Sequence, residues 1–315
     1  MSALYGNAAW FHKLKSEGVI SKWLSNGDSN FIENHVLYYL ISLVENQQKD
    51  VAELLSAYAD GDTVWLNRLF NVLSRVTRWN SYDAAELLEK VVYRLPTISR
   101  YGWYEIVNVA KAFPKIGCRL ILYAFNYHEK ESVDSNQRTS KKLVSSGDLE
   151  MLHGSSIDDA ISSLSLQEPE IFLQTAVPWI LDVLGEPKHA AVSDCSFEWD
   201  SFCYGWNAKF HEVQNALIFG LINSLALLEK IKPTIAQNYI DLFKRSPFMT
   251  PQRLVARVFT ANPEMYKDQA LEFLCKDQRR LELGENAQYD SRRLVNAIYP
   301  FLSKDQQSEL EEFIL

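Results

Sequence analysis

No apolar run in this chain comes near the ~18 residues that a membrane-crossing helix requires. The longest, Ala216 to Leu228, is interrupted by Asn223 and Ser224. Cysteine is sparse: Cys118, Cys195, Cys203 and Cys275 in 315 residues make no disulfide framework and suit a reducing compartment. Cys118 and Cys275 sit in apolar helical runs, where a thiol behaves as a small hydrophobe. Met1 to Ser25 lacks the basic start and unbroken apolar core of a secretory signal. A cytoplasmic protein with no membrane partner is therefore expected. Positive charge is in deficit, with 32 Lys and Arg against 40 Asp and Glu, a formal net charge of −8. That balance provides no general phosphate-binding surface, so nucleic acid is not an expected partner.

Catalytic signatures are missing too. The sequence has no G-x-x-x-x-G-K-S/T, G-x-G-x-x-G, H-E-x-x-H or G-x-S-x-G. Cys195, Cys203 and His211 come nearest to a metal set, but Cys-x7-Cys is a poor zinc spacing and no fourth ligand is evident. Neither cysteine has the Gly turn that would shape an oxyanion site beside a nucleophile. Carboxylate pairs such as Asp158-Asp159 and Glu311-Glu312 fall at helix ends or on polar faces, where solvated surface is the ordinary role. No catalysis, cofactor or metal is expected in these residues.

What is present is helical periodicity over a large apolar inventory. Apolar residues make up 47% of the chain, including eight Trp, fifteen Tyr and sixteen Phe, enough for a sizeable core. Apolar stripes at helical spacing recur from Trp10 onward, as in Trp65, Leu66, Leu69, Phe70, Leu73 and Val76. Phe31 to Val44 is apolar nearly all round, which predicts an inner helix. Gly and Pro fall between segments, and no strand-like alternation persists. The spacing, roughly 35 to 45 residues per helix pair, predicts an all-α protein: an α-solenoid of antiparallel helix pairs, HEAT- or TPR-like, coiled as a right-handed superhelix. Residues 1–130 form the first part of a single array and residues 157–315 the second, with 131–156 as a polar insertion. Pro178, inside a helical pattern, predicts a kink or a division of that helix. The last helix, capped by Ser303 or Asp305, ends on Phe313, Ile314 and Leu315 with nothing after it, as an array looks when cut between units.

Two stretches stand out as candidate recognition elements. Phe197 to Trp206, FEWDSFCYGW, carries five aromatics, Phe197, Trp199, Phe202, Tyr204 and Trp206, in an irregular segment. They either plug the groove of an array or present anchors to a protein partner. Lys276 to Arg280 and Arg292-Arg293 form a basic cluster in an acidic chain. It either meets an anionic partner or pairs Arg279, Arg280, Arg292 and Arg293 with Glu282, Glu285 and Asp290 across neighbouring helices.

The carboxy-terminal half resembles a known family. Pro169, Phe172, Leu173, Pro178 and Trp179 fit a "dP-x-x-FL…lPW" helix, and FHEVQNALIFGLINSLALL fits an "AL…AL-x-x-LA" helix. Phe273, Leu274, Asp277, Arg279, Arg280, Leu281, Gly284, Ser291, Arg292, Leu294, Ala297, Ile298, Pro300, Leu302 and Ser303 then fit "yL-x-D-x-RRL-x-LG…SR-x-LI-x-A-I-x-P-x-LS". In that order they resemble the carboxy-terminal helical repeats of AVAST-type antiviral STAND NTPases, over Glu168 to Leu315. The resemblance implies a helical-repeat sensor that recognises a phage protein of the terminase or portal type and triggers an effector through a central ATPase. This chain carries neither effector nor ATPase motifs, so it is expected to be a piece of the sensor, monomeric by itself and oligomeric only within its parent. A stand-alone solenoid scaffold for cellular proteins is the competing expectation.

Overall fold

The computed structural model describes residues 7–25, 30–96, 102–123, 127–133, 139–145, 156–185 and 213–315. It divides into two compact units, Met1–Leu152 and His153–Leu315. Nearly all of the described structure is helical.

The first unit contains α1 (Ala8–Ser16), α2 (Val19–Ser25), α3 (Asn30–Val44), α4 (Gln48–Ser56), α5 (Thr63–Leu73), α6 (Tyr82–Arg94), α7 (Gly102–Ala112) and α8 (Pro114–Tyr123). Short polar side chains start several of them. Asp62 accepts from the Trp65 amide at 3.0 Å, and Ser81 accepts from that of Ala84. Each such cap satisfies an amide that the first helical turn leaves without a partner. α3 packs on α4 and α5, α4 and α5 both pack on α6, and α8 packs on α6 and α7. Leu40, Leu55, Leu69, Leu73, Leu88 and Val91 are fully buried between them. α3 is not an inner helix. Val36, Tyr39, Leu40 and Leu43 point inward, but Asn34 is exposed and Tyr38 is 60% exposed, because an apolar composition does not require burial on every side.

Part of the stretch read as a polar insertion is a β-hairpin. β1 (Tyr127–Val133) pairs antiparallel with β2 (Thr139–Ser145), with Tyr127 opposite Ser145 and Val133 opposite Thr139. These strands are built largely from Glu, Lys and Ser, so they carry none of the apolar alternation that marks a half-buried strand in sequence. The helix before the hairpin, α8, ends at Tyr123.

The second unit contains α9 (Ser156–Gln167), α10 (Pro169–Gly185), α11 (Val213–Ile231), α12 (Pro233–Arg245), α13 (Met249–Ala261), α14 (Pro263–Cys275), a 3-10 turn at Gln278–Glu282, α15 (Glu285–Ile298), a second 3-10 turn at Tyr299–Phe301 and α16 (Lys304–Ile314). Single residues, Glu168, Lys232 and Asn262, separate α9 from α10, α11 from α12 and α13 from α14, and a proline opens each following helix. Proline disfavours helical backbone in the residue before it and lacks only an amide that the first turn leaves unbonded, so it both ends one helix and starts the next.

α10 runs unbroken through Pro178. Pro178 and Gln174, whose carbonyl loses its helical donor, both lie on the exposed side, where water can satisfy that carbonyl. Val177 and Ile180 are buried on the opposite side and hold the helix in place. α11 packs on α9, α10, α12 and α13, and α13 packs on α12, α14 and α15. A Cβ at Gly220 of α11 would lie 2.8 Å from Cζ of Phe172, so the close approach of α10 needs glycine there. Phe243, Phe259, Phe273, Leu294 and Ile298 form the core. Ser303 closes a capping box with Gln306 at the start of α16. No described helix is long and apolar enough to cross a membrane.

Candidate binding surfaces

Phe197, Trp199, Phe202, Tyr204 and Trp206 lie outside the described residues, as do Cys195, Cys203 and His211. Among the described residues, no group of three His, Cys, Asp or Glu side chains could hold a metal ion.

Of the basic motif near the carboxy terminus, Lys276, Arg279 and Arg292 are exposed, and Arg280 is buried. Asp277 caps the 3-10 turn by accepting from the Arg279 amide at 3.1 Å, and its other oxygen meets Nη2 of Arg279 at 2.6 Å. This pairing holds the Asp277 carboxyl at about 2, well below the usual carboxylate range. Arg280 turns into the protein. Its guanidinium donates to the carbonyls of Phe273 and Lys244 at 2.8 and 2.9 Å and lies 4.3 Å from the centre of the Phe273 ring. Burial pulls its pKa below the ordinary arginine value. The Ser291 hydroxyl donates to the Arg280 carbonyl and accepts from the Leu283 amide, both at 2.8 Å. Gly284 has φ +100°, and a Cβ there would come within 2.8 Å of the Asp290 amide.

Asp290 is buried, and its partners are Arg253 and Arg257 on α13. Arg293 instead donates to the Tyr289 hydroxyl at 2.7 Å, and Arg292 is exposed. The arrangement expected of the basic cluster, with Asp290 taken by Arg279, Arg280, Arg292 or Arg293, is thus replaced by a pairing between α13 and α15. Sequence reasoning missed Arg253 and Arg257. Their four-residue spacing, one helical turn on one side of α13, was the signal available.

Beside this motif is a pocket of about 510 Å³, lined in part by Lys244, Arg245, Gln252, Asp277, Arg279 and Arg280. Most of these groups are already occupied. Nε2 of Gln252 donates to the carbonyls of Phe243 and Lys244 at 3.1 and 3.2 Å and also to that of Ser246. Arg280 takes the Lys244 carbonyl as well, and Nε of Arg245 donates to the Asp241 carbonyl at 3.2 Å. Together they satisfy the carbonyls left open at the end of α12, so the lining acts as a cap supplied from neighbouring elements.

In the first unit, a groove of about 270 Å³ lies between α3 and α5. Asn34, Tyr38 and Ile41 line it from α3, and Arg68, Asn71 and Arg75 from α5 and its C-terminal end. The spacings 34, 38, 41 and 68, 71, 75 put each trio on one side of its helix. Arg68 lies over the Trp65 ring at 5.1 Å, and Trp65 stacks on Tyr58 at 4.6 Å, which fixes that wall. Among the described residues, no carboxylate lines the groove.

Compared with protein-family models, with curated proteins and with solved structures, the chain matches none.

Proposed function

We propose that this chain is a protein-binding module: an α-solenoid of antiparallel helix pairs from the sensor region of an antiviral STAND NTPase, recognising a phage protein of the terminase or portal type without catalysis of its own. The packing order carries the binding-module part. Within each unit, helices touch the next helix and the next but one, as in α3 with α4 and α5 or α13 with α14 and α15. Repeat arrays are built by such short-range stacking, and it leaves long faces free for partners. The defence assignment rests on the sequence resemblance over Glu168 to Leu315. It is supported by what the matched residues do locally: Asp277, Arg280, Gly284 and Ser291 fix one turn-and-helix unit, the kind of role a recurring structural motif keeps. Phe197, Trp199, Phe202, Tyr204 and Trp206 are proposed as partner contacts from their aromatic density.

The test is co-purification of this chain with separately expressed phage terminase and portal proteins. A stable one-to-one complex with either supports the sensor reading. If neither binds this chain, nor the longer product of the surrounding reading frame, the stand-alone scaffold replaces it.

A further inference from the structure

In the second unit, three successive turns between helices each present an exposed apolar side chain. Ile231 ends α11, Met265 lies in the first turn of α14, and Phe301 lies in the 3-10 turn before α16; they are 58%, 62% and 39% exposed. Every residue of these turns is among the described ones. The turns lie side by side. Nδ2 of Asn262, just after α13, donates to the Glu229 carboxylate near the end of α11 at 2.7 Å. The Tyr299–Phe301 turn packs on α14, and Nε2 of Gln306 on α16 donates to Asp268 of α14 at 2.7 Å. Single exposed apolar residues are ordinary on a protein surface. Three at consecutive turns along one edge make a row, and packing sets its spacing. α11 touches α13 and α13 touches α15, so successive turns stand about 8–10 Å apart.

The width, charge and spacing of the row select one kind of occupant. A single file of three side chains falls far short of the ~800 Å² per partner that a stable dimer buries, which argues against a second copy. The exposed charges beside it are of both signs, Lys230 and Lys304 with Glu264 and Asp305, whereas an anionic lipid surface needs an excess of cations. An α-helix repeats a side-chain direction every seven residues, about 10.5 Å, close to the spacing of the turns; one face of a strand repeats at about 6.6 Å. Lys230 beside Ile231 and Glu264 beside Met265 then set the direction of that helix, with an acid toward the first and a base toward the second. We propose that this edge of the second unit binds an amphipathic helix of a protein partner, with one apolar residue in every two turns set against Ile231, Met265 and Phe301. The proposal rests on the binding-module reading and is independent of the defence assignment.

The test is fluorescence anisotropy of the full chain with a labelled, alanine-based helical peptide of three heptads. It carries one leucine per heptad on one face, a glutamate beside the first leucine and a lysine beside the second. Two controls accompany it, one with a proline in each heptad to forbid the helix and one with the leucines scattered around it. Saturable binding of the amphipathic helix alone is expected. Met265→Asp, at an exposed side chain, weakens binding roughly tenfold by setting a charge against leucine and leaves the melting curve unchanged. Lys230→Glu with Glu264→Lys weakens it severalfold, and a peptide with its two charges exchanged recovers the loss. Absence of saturable binding, equal binding of either control, or an affinity unmoved by Met265→Asp overturns the proposal. So does a dimer in light scattering, or binding to anionic vesicles, that Met265→Asp abolishes. Peptide binding without capture of terminase or portal leaves the row standing and counts against the defence assignment; the reverse result counts against the row alone.

Discussion

Oδ1 of Asp290 lies 3.0 Å from Nε of Arg257, joining α15 to α13 across the interior of the second unit. Arg253, one helical turn before Arg257, meets the other carboxylate oxygen, and all three residues are almost wholly buried. A charge cluster so deeply desolvated gains little from being ionic but loses much when one member is removed. Replacing Asp290 by Ala is expected to destabilise the protein by about 3–5 kcal/mol, the usual cost of leaving a buried charge without its counter-ion. Urea denaturation checks this. A loss similar to that of an exposed Asp→Ala change would show that Arg253 and Arg257 do not depend on the carboxylate.

Gly284 holds the backbone that delivers Asp290. With φ at +100° and the Asp290 amide 2.8 Å from a would-be Cβ, Gly284→Ala should cost at least the roughly 1–3 kcal/mol of a strained backbone position. Because the clash falls on Asp290 itself, its effect and that of Asp290→Ala should be less than additive. A double-mutant cycle measured by denaturation decides, and strict additivity would separate the turn from the ion pair.

Gln48 ties together the approach to α6. Buried on α4, it donates through Nε2 to the Arg78 carbonyl at 2.7 Å and accepts through Oε1 from the Asn80 and Ser81 amides at 2.9 and 3.1 Å. Gln48→Ala should cost about 1–3 kcal/mol for each of these groups that finds no new partner. Hydrogen exchange at Asn80 and Ser81 should accelerate well beyond the change elsewhere. Unchanged protection there would mean that the segment is held by other contacts.

Asp277 makes acid sensitivity testable. Its folded-state carboxyl sits near 2, below the ordinary value of about 4, so its contribution is present above pH ~4 and is lost as pH falls toward 2. The stability difference between the wild type and Asp277→Asn should be flat from neutral pH to about pH 5 and shrink below about pH 4. Because Arg279 is largely exposed, that difference is expected to be modest and to decrease with salt. A difference that grows on acidification would show that the sign is wrong.

Much of the local architecture was legible in the residues themselves. The prolines at 169, 233 and 263 stand at helix starts, Ser303 caps the last helix, and the stripe from Leu66 to Val76 is buried. These signals act over one or two turns, so they survive without knowledge of the rest of the chain. Other features needed tertiary contacts. Asp290 has Arg292 and Arg293 close by in sequence, yet its partners lie 33 and 37 residues away on α13. The turn of α15 leaves Arg292 outside while burying Asp290 against another helix, and no local rule ranks those choices. The hairpin is similar: strands of Glu, Lys and Ser become strands through pairing with each other, an interaction that periodicity within either one does not encode. The groove depends on which side of α3 its neighbours leave uncovered, which composition alone does not settle. The sequence by itself determined where many of the helices begin and which stripes are apolar; the tertiary structure decided which buried charges meet and which side of a helix is covered, because those outcomes depend on contacts between segments far apart in the chain.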